Sequence, residues 1–115
     1  MKYMLMIYAN EAAVHGATEA DMRPMMAAYG AYTEALKKAG AIIGGDRLER
    51  SSTATTVRVA NGKTQLLNGP YAETKEQLAG YYLIDVADLD AALAWAARCP
   101  GASHGAIEVR PLGAM

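Results

Sequence analysis

Cysteine is nearly absent: Cys99 is the single thiol among 115 residues. An internal disulfide is thereby excluded, which fits a reducing compartment. Histidine is also scarce, and His15 and His104 stand in no paired His–His or His–carboxylate spacing, so no protein metal site is expected. Long apolar runs are missing, with nothing near the roughly 20 apolar residues of a membrane span. The opening MKYMLMIYAN has too short an apolar run for a secretory leader, and Glu11 follows without a clean cleavage signal. Neither sign of charge dominates. Eleven basic and twelve acidic residues give a formal net charge of −1 without any Lys/Arg run, so no nucleic-acid partner is expected. No P-loop or dinucleotide fingerprint occurs, since Gly44–Gly45 lacks the required spacing, and no cofactor is expected. The expectation is a soluble, cytoplasmic protein.

What is present is an ordinary globular balance of 52% hydrophobic and 20% charged residues. The length suits one domain over residues 1–115, able to bury about two thirds of its extended-chain surface. Tyr3–Tyr8 is apolar on both faces and reads as a central strand. Residues 9–20 read as a small-residue loop. Met22, Met25, Met26, Tyr29, Tyr32 and Leu36 make one helical stripe between Asp21 and Ala39. Asp21 is a plausible N-cap that leaves Pro24 in the first turn; Thr18 is the alternative, with Pro24 then inside the helix. Gly40 ends that helix, and Gly30 within it suggests close approach of another backbone. Ala41–Glu49 is a strand in which Gly44–Gly45 signals a bulge or bend. Asn61-Gly62 joins Thr55–Val59 to Lys63–Leu67 as a hairpin. Gly80–Val86 is again apolar on both faces, Asp88 caps a helix running to Arg98, and Ala106–Arg110 is a last alternating strand.

The order is strand, helix, strand, hairpin, strand, helix, strand. This predicts an α+β fold: ferredoxin-like βαββαβ with an inserted hairpin. Two helices cover only one face of such a sheet, yet the strands at 3–8 and 81–86 are apolar on both. Leaving the second face wet would expose more apolar surface than monomers tolerate, which predicts a homodimer joined through that face.

Candidate site residues concentrate in and around 68–77. Asn68, Gly69, Pro70 and Tyr71 read either as a ligand-binding turn, with the Asn side chain closing an Asx-turn, or as a plain connection between strands. If 71–77 is extended, Tyr71, Glu73, Lys75 and Gln77 share a face, where Glu73 and Lys75 would orient a polar ligand or form a solvated ion pair. Asp46 and Arg47 follow the double glycine, and Arg47 would clamp an anion or take part in a surface or interface salt bridge. Tyr81 and Tyr82 point to opposite faces. One meets the helices; the other, with Tyr3 or Tyr8, lines a pocket or packs at a subunit interface.

The run NGPYAETKEQLAGYYLIDVADLDAALAWAARCP, followed by GAIEVRPL, resembles the YCII-related proteins of the DGPF type. The opening KYMLMIYANE and the segment STATTVRVANGKTQLLNGPYAETKEQ fit the same pattern, so the resemblance runs nearly the whole length. It implies a ferredoxin-like subunit that dimerises through its sheet into a dimeric α+β barrel with a cleft. Some members are encoded beside extracytoplasmic-function sigma factors, and broader relatives have been proposed as enzymes with a His–Asp pair. The DGPF tetrapeptide reads here Asn68, Gly69, Pro70, Tyr71, and residues 21–39 hold no histidine, so that dyad does not transfer. The leading expectation is a cleft that binds a small molecule, with or without catalysis. The alternative is a non-catalytic regulatory or partner-binding protein, linked to transcription through a sigma factor.

Overall fold

β1 (Lys2–Ala9) alternates between buried and part-exposed residues from Tyr3 to Tyr8, as a strand does when only one side of its sheet is covered. A computed structural model describes residues 1–114. The other elements are α1 (Glu11–His15), α2 (Glu19–Lys38), β2 (Ile42–Arg47), β3 (Thr55–Ala60), β4 (Lys63–Asn68), β5 (Gln77–Asp85), α3 (Leu89–Arg98) and β6 (Ala106–Pro111), with short 3-10 turns at Ser51–Thr53 and Pro100–Ser103. Four strands form one sheet in the order β2-β5-β1-β6, every neighbour antiparallel. This is the ferredoxin-like arrangement. The two strands that are apolar on both sides, β1 and β5, occupy its centre.

On the helix side the core is closed. Tyr3, Leu5, Ile7 and Ile84 pack with Tyr32 and Leu36 of α2 and Ala92 and Ala96 of α3, all buried. Its polar groups are paired: the Tyr32 hydroxyl donates to the Trp95 carbonyl at 2.7 Å, and the Thr33 and Tyr82 hydroxyls lie 2.8 Å apart. The Tyr32 ring meets Tyr82 and Trp95 edge-on, a favoured aromatic geometry. Gly44–Gly45 does mark a bulge, where the β2–β5 register shifts between Ile42 and Gly44.

Several local expectations are corrected. Residues 9–20 are not simply a loop: Asn10 accepts a hydrogen bond from the Ala13 amide and starts α1. The cap of α2 is Thr18 rather than Asp21. Thr18 and Asp21 form a reciprocal capping box, so Pro24 lies inside the helix. Met26 is 62% exposed, which narrows the buried stripe of α2. Nothing among the described residues of the chain lies within 4 Å of a Cβ added at Gly30, so no backbone of its own chain approaches it.

The other sheet face carries Met4, Met6 and Tyr8 of β1 opposite Leu83, Tyr81 and Leu78 of β5, all partly exposed. The β3–β4 hairpin does not cover it. Asn61 and Gly62 turn the chain at φ of 52° and 73°, and the two strands form a separate sheet in which every residue but Thr56 is exposed. Among the described residues no helix is long and apolar enough to cross a membrane.

Candidate functional site

Two connections meet over one end of the sheet: Leu48–Ala54, leaving β2, and Gly69–Glu76, entering β5. Glu11 holds the first of them. Its carboxylate accepts from both the Ser51 amide and the Ser51 hydroxyl, each at 2.7 Å, and these charge-assisted bonds are the main reason its pKa lies below the ordinary 4.5. The Glu11 amide donates to the Gln77 side-chain carbonyl at 3.0 Å, and the Gln77 amide group donates to the Thr74 carbonyl at 2.7 Å. One residue at the start of α1 therefore ties both connections to the end of β1.

A second set of bonds closes the hairpin base. The Gly69 amide donates to the Ala54 carbonyl at 2.7 Å, and the Thr56 hydroxyl donates to the Gly69 carbonyl at 2.9 Å. Gly69 sits at φ +112°, a conformation that side-chain-bearing residues rarely adopt. The Arg58 guanidinium stands 5.1 Å from the centre of the Tyr71 ring, a cation–π contact at the surface.

Between these walls lies a cleft of about 740 Å³. Tyr8, Leu48, Tyr71 and Leu78 give it apolar surface, while Ser51, Thr53, Thr55, Thr56 and Thr74 bring hydroxyl-bearing side chains and Arg50 a cation. A smaller recess of about 400 Å³ adjoins it, sharing Ser51, Pro70, Ala72, Thr74 and Gln77 and adding Asn68, Gly69 and Glu73. Such surroundings suit an organic molecule of modest size: apolar walls for its body, a few polar groups for its orientation.

Of the residues predicted from sequence, Tyr71 lines the main cleft, Pro70 lines both spaces, and Asn68, Gly69 and Glu73 line the recess. Lys75 lines neither and is exposed. The premise that paired Glu73 with Lys75 does not hold: residues 71–76 bend rather than extend, and β5 begins only at Gln77. Among the described residues no ion pair joins Glu73 to Lys75. Nor does Asn68 close an Asx-turn. It is the last residue of β4, paired with Thr55, and no hydrogen bond of its side chain is present among the described residues.

Asp46, Arg47 and Tyr81 stand outside both spaces. Tyr81 donates its hydroxyl to Asp46 Oδ2 at 3.0 Å, and that bond and the carboxylate's charge raise the phenol's pKa. The pair belongs to the open sheet face, whereas Arg47, opposite Gly80, is exposed. Tyr82 is the tyrosine that meets the helices, Tyr3 is buried among them, and Tyr8 reaches the cleft.

Sequence reasoning missed Glu11, Ser51 and the wall residues around Arg50. Asn10 followed by Glu11 was a local helix-start signal, but the bond to Ser51 spans 40 residues and left no local trace. Cys99 is buried with its sulfur 4.0 Å from the Tyr29 hydroxyl, and burial raises its thiol pKa, so it offers no accessible nucleophile. Among the described residues no group of three or more His, Cys, Asp or Glu side chains is placed to hold a metal ion.

Comparison with known proteins adds one relative in sequence and one likeness of fold. An uncharacterized protein of Rhizobium meliloti (strain 1021) is 40% identical over 118 residues, covering 97% of this chain and 92% of that protein. The solved structure of 5-chloro-2-hydroxyhydroquinone dehydrochlorinase, TftG, from Burkholderia phenoliruptrix AC1100 in complex with 2,5-dihydroxybenzoquinone superposes with a TM-score of 0.57. That match covers 98% of this chain and 94% of TftG at 15% identity, a likeness of fold. The YCII-related domain matches residues 1–115 from end to end. With a family match along its whole length and a close relative of nearly equal size, the chain belongs to the YCII-related domain family.

Proposed function

We propose that this protein binds a small organic molecule in the cleft bounded by Tyr8, Tyr71, Leu78 and the 48–56 wall, and that it does so as a homodimer joined through its open sheet face in the manner of a dimeric α+β barrel. The observation that carries the binding reading is the cleft itself. At about 740 Å³ it falls within the range of roughly 300–1,000 Å³ usual for small-molecule sites, with an apolar body and few convergent polar groups. Tyr71, with Arg58 over one face of its ring, is 75% exposed and so available to a ligand. The uncovered apolar side of β1 and β5 supports the dimer.

Binding is better supported than catalysis. The acid beside the cleft with a shifted pKa is Glu11, and both its oxygens are engaged by Ser51; the other carboxylates at the walls, Glu49 and Glu73, are exposed to solvent rather than desolvated for proton transfer. Catalysis stands as a second reading because TftG, whose fold is similar, is a dehydrochlorinase. The same likeness makes ring compounds the first ligands to try.

The test is calorimetric titration of the protein with 2,5-dihydroxybenzoquinone and a panel of small phenols and aromatic acids. Wild type should bind at least one of them, and Tyr71→Ala should weaken that binding about fivefold, since an aromatic contact contributes roughly 1 kcal/mol. Binding that is identical in Tyr71→Ala and Arg50→Ala, or no binding at millimolar concentration, would overturn the assignment of this cleft.

A further inference from the structure

The β3–β4 arm has a face that its own chain leaves unsupported. A lone two-stranded hairpin is marginally stable in water unless something lies against it. Here the register places Val57 opposite Leu66 and Val59 opposite Thr64, and alternation puts all four on one side. On that side Val57 is 57%, Val59 69% and Leu66 68% exposed. The reverse side carries Arg58, Gln65 and Lys63 with Leu67, and Arg58 already reaches Tyr71. The arm is thus amphipathic with a period of two, and its apolar side has no partner among the described residues.

The surface area indicates how large the missing partner is. The chain exposes 7964 Å². A self-contained domain of its 12.2 kDa would expose about 6,100 Å². The excess of about 1,900 Å² per chain, doubled for two copies, falls in the range of obligate dimers, about 2,000–5,000 Å² in total. Its radius of gyration, 16.1 Å, likewise exceeds the roughly 13 Å expected for a compact chain of this length. A second copy fits this account because it brings both an uncovered sheet face and an uncovered arm, and a two-fold axis covers both sets at once.

We infer that the β3–β4 arm is a clasp for a second copy of this chain, its Val57, Val59 and Leu66 side lying on the partner subunit and closing the cleft that a single chain leaves open. Tyr8 and Leu78 belong both to the open sheet face and to the cleft wall, while Thr55 and Thr56 belong both to the arm and to that wall. A copy seated on the sheet and gripped by the arm therefore also roofs the cleft. This rests on the dimer proposed above and adds the element that holds it.

Sedimentation velocity over a dilution series tests it, using the full chain, Val57→Lys/Leu66→Lys on the apolar side, Leu67→Lys on the reverse side and Met6→Lys on the sheet. The double variant should raise the dimer dissociation constant at least about a hundredfold, equivalent to about 2.8 kcal/mol at 1.4 kcal/mol per decade, while Leu67→Lys should stay within about threefold of wild type. Trp95 fluorescence should be unchanged in the arm variants, showing that the core is intact, and amide exchange at residues 54–56 should be slower in the wild-type dimer than in monomeric Met6→Lys. A wild-type dimer whose dissociation constant is the same in the double variant would overturn the clasp and leave the sheet interface standing. A wild type that is monomeric throughout would overturn both.

Discussion

The two sides of the central sheet teach different lessons although the same strands make both. On the helix side, Leu5, Leu36 and Ile84 are fully buried, and the tyrosine hydroxyls of Tyr32 and Tyr82 have partners within the chain. On the opposite side, Met4, Met6, Tyr8 and Leu83 are partly exposed, and the neighbouring arm carries Val59 at 69% exposure. One half is a completed core. The other is an assembly of surfaces that share a cleft, with its local geometry fixed by hydrogen bonds and its apolar area left open. Stability should therefore reside in the first half and recognition in the second.

The largest expected effect tests that division. Leu36→Ala should cost about 2–5 kcal/mol in urea unfolding, as buried leucine truncations do. Leu66→Ala, placed in a monomeric Met6→Lys background, should change stability by no more than about 0.5 kcal/mol. Similar losses from the two would erase the distinction between the halves.

Next in size is Gly69→Ala. The position has open space for a Cβ but a φ of +112°, so the penalty is conformational, about 1–3 kcal/mol, and should appear as local opening of the arm base in hydrogen exchange. An unperturbed Ala54–Gly69 contact in that variant would show the turn to be unstrained.

Glu11→Gln should be milder, about 1 kcal/mol or less once solvent screening is allowed for. Because the Glu11 pKa is lowered on folding from 4.5, its contribution is present above about pH 4.5 and is lost as pH falls through the folded value. The protection factor of the Ser51 amide, its exchange rate relative to the unstructured rate at the same pH, should therefore drop on acidification in wild type and show no such pH step in Glu11→Gln. The smallest effect belongs to Asn68→Asp. As the Asn68 side chain makes no hydrogen bond among the described residues, thermal unfolding should shift by the equivalent of less than about 0.5 kcal/mol.

Much of the fold was legible in local pattern. β1 and β5 announced themselves by being apolar on both faces, Asn61-Gly62 named its own turn, and Gly44–Gly45 marked the bulge. The candidate site was legible mainly where it coincided with turn chemistry, at Asn68, Gly69, Pro70 and Tyr71. Glu73 and Lys75 were assigned to one face on the assumption of an extended segment, which the bends at 71–76 replace. Glu11 and Ser51 escaped notice because their pairing depends on where α1 and the 48–54 connection come to rest, a consequence of tertiary structure that no short window of sequence contains. The choice between Thr18 and Asp21 as helix cap was similarly close, since each is part of the same capping box.

Light scattering at micromolar concentration tests the central claim, that the open half of the molecule is finished by a second copy. A mass near twice the chain's 12.2 kDa is the predicted result. A mass of 12.2 kDa that persists to high concentration would contradict it.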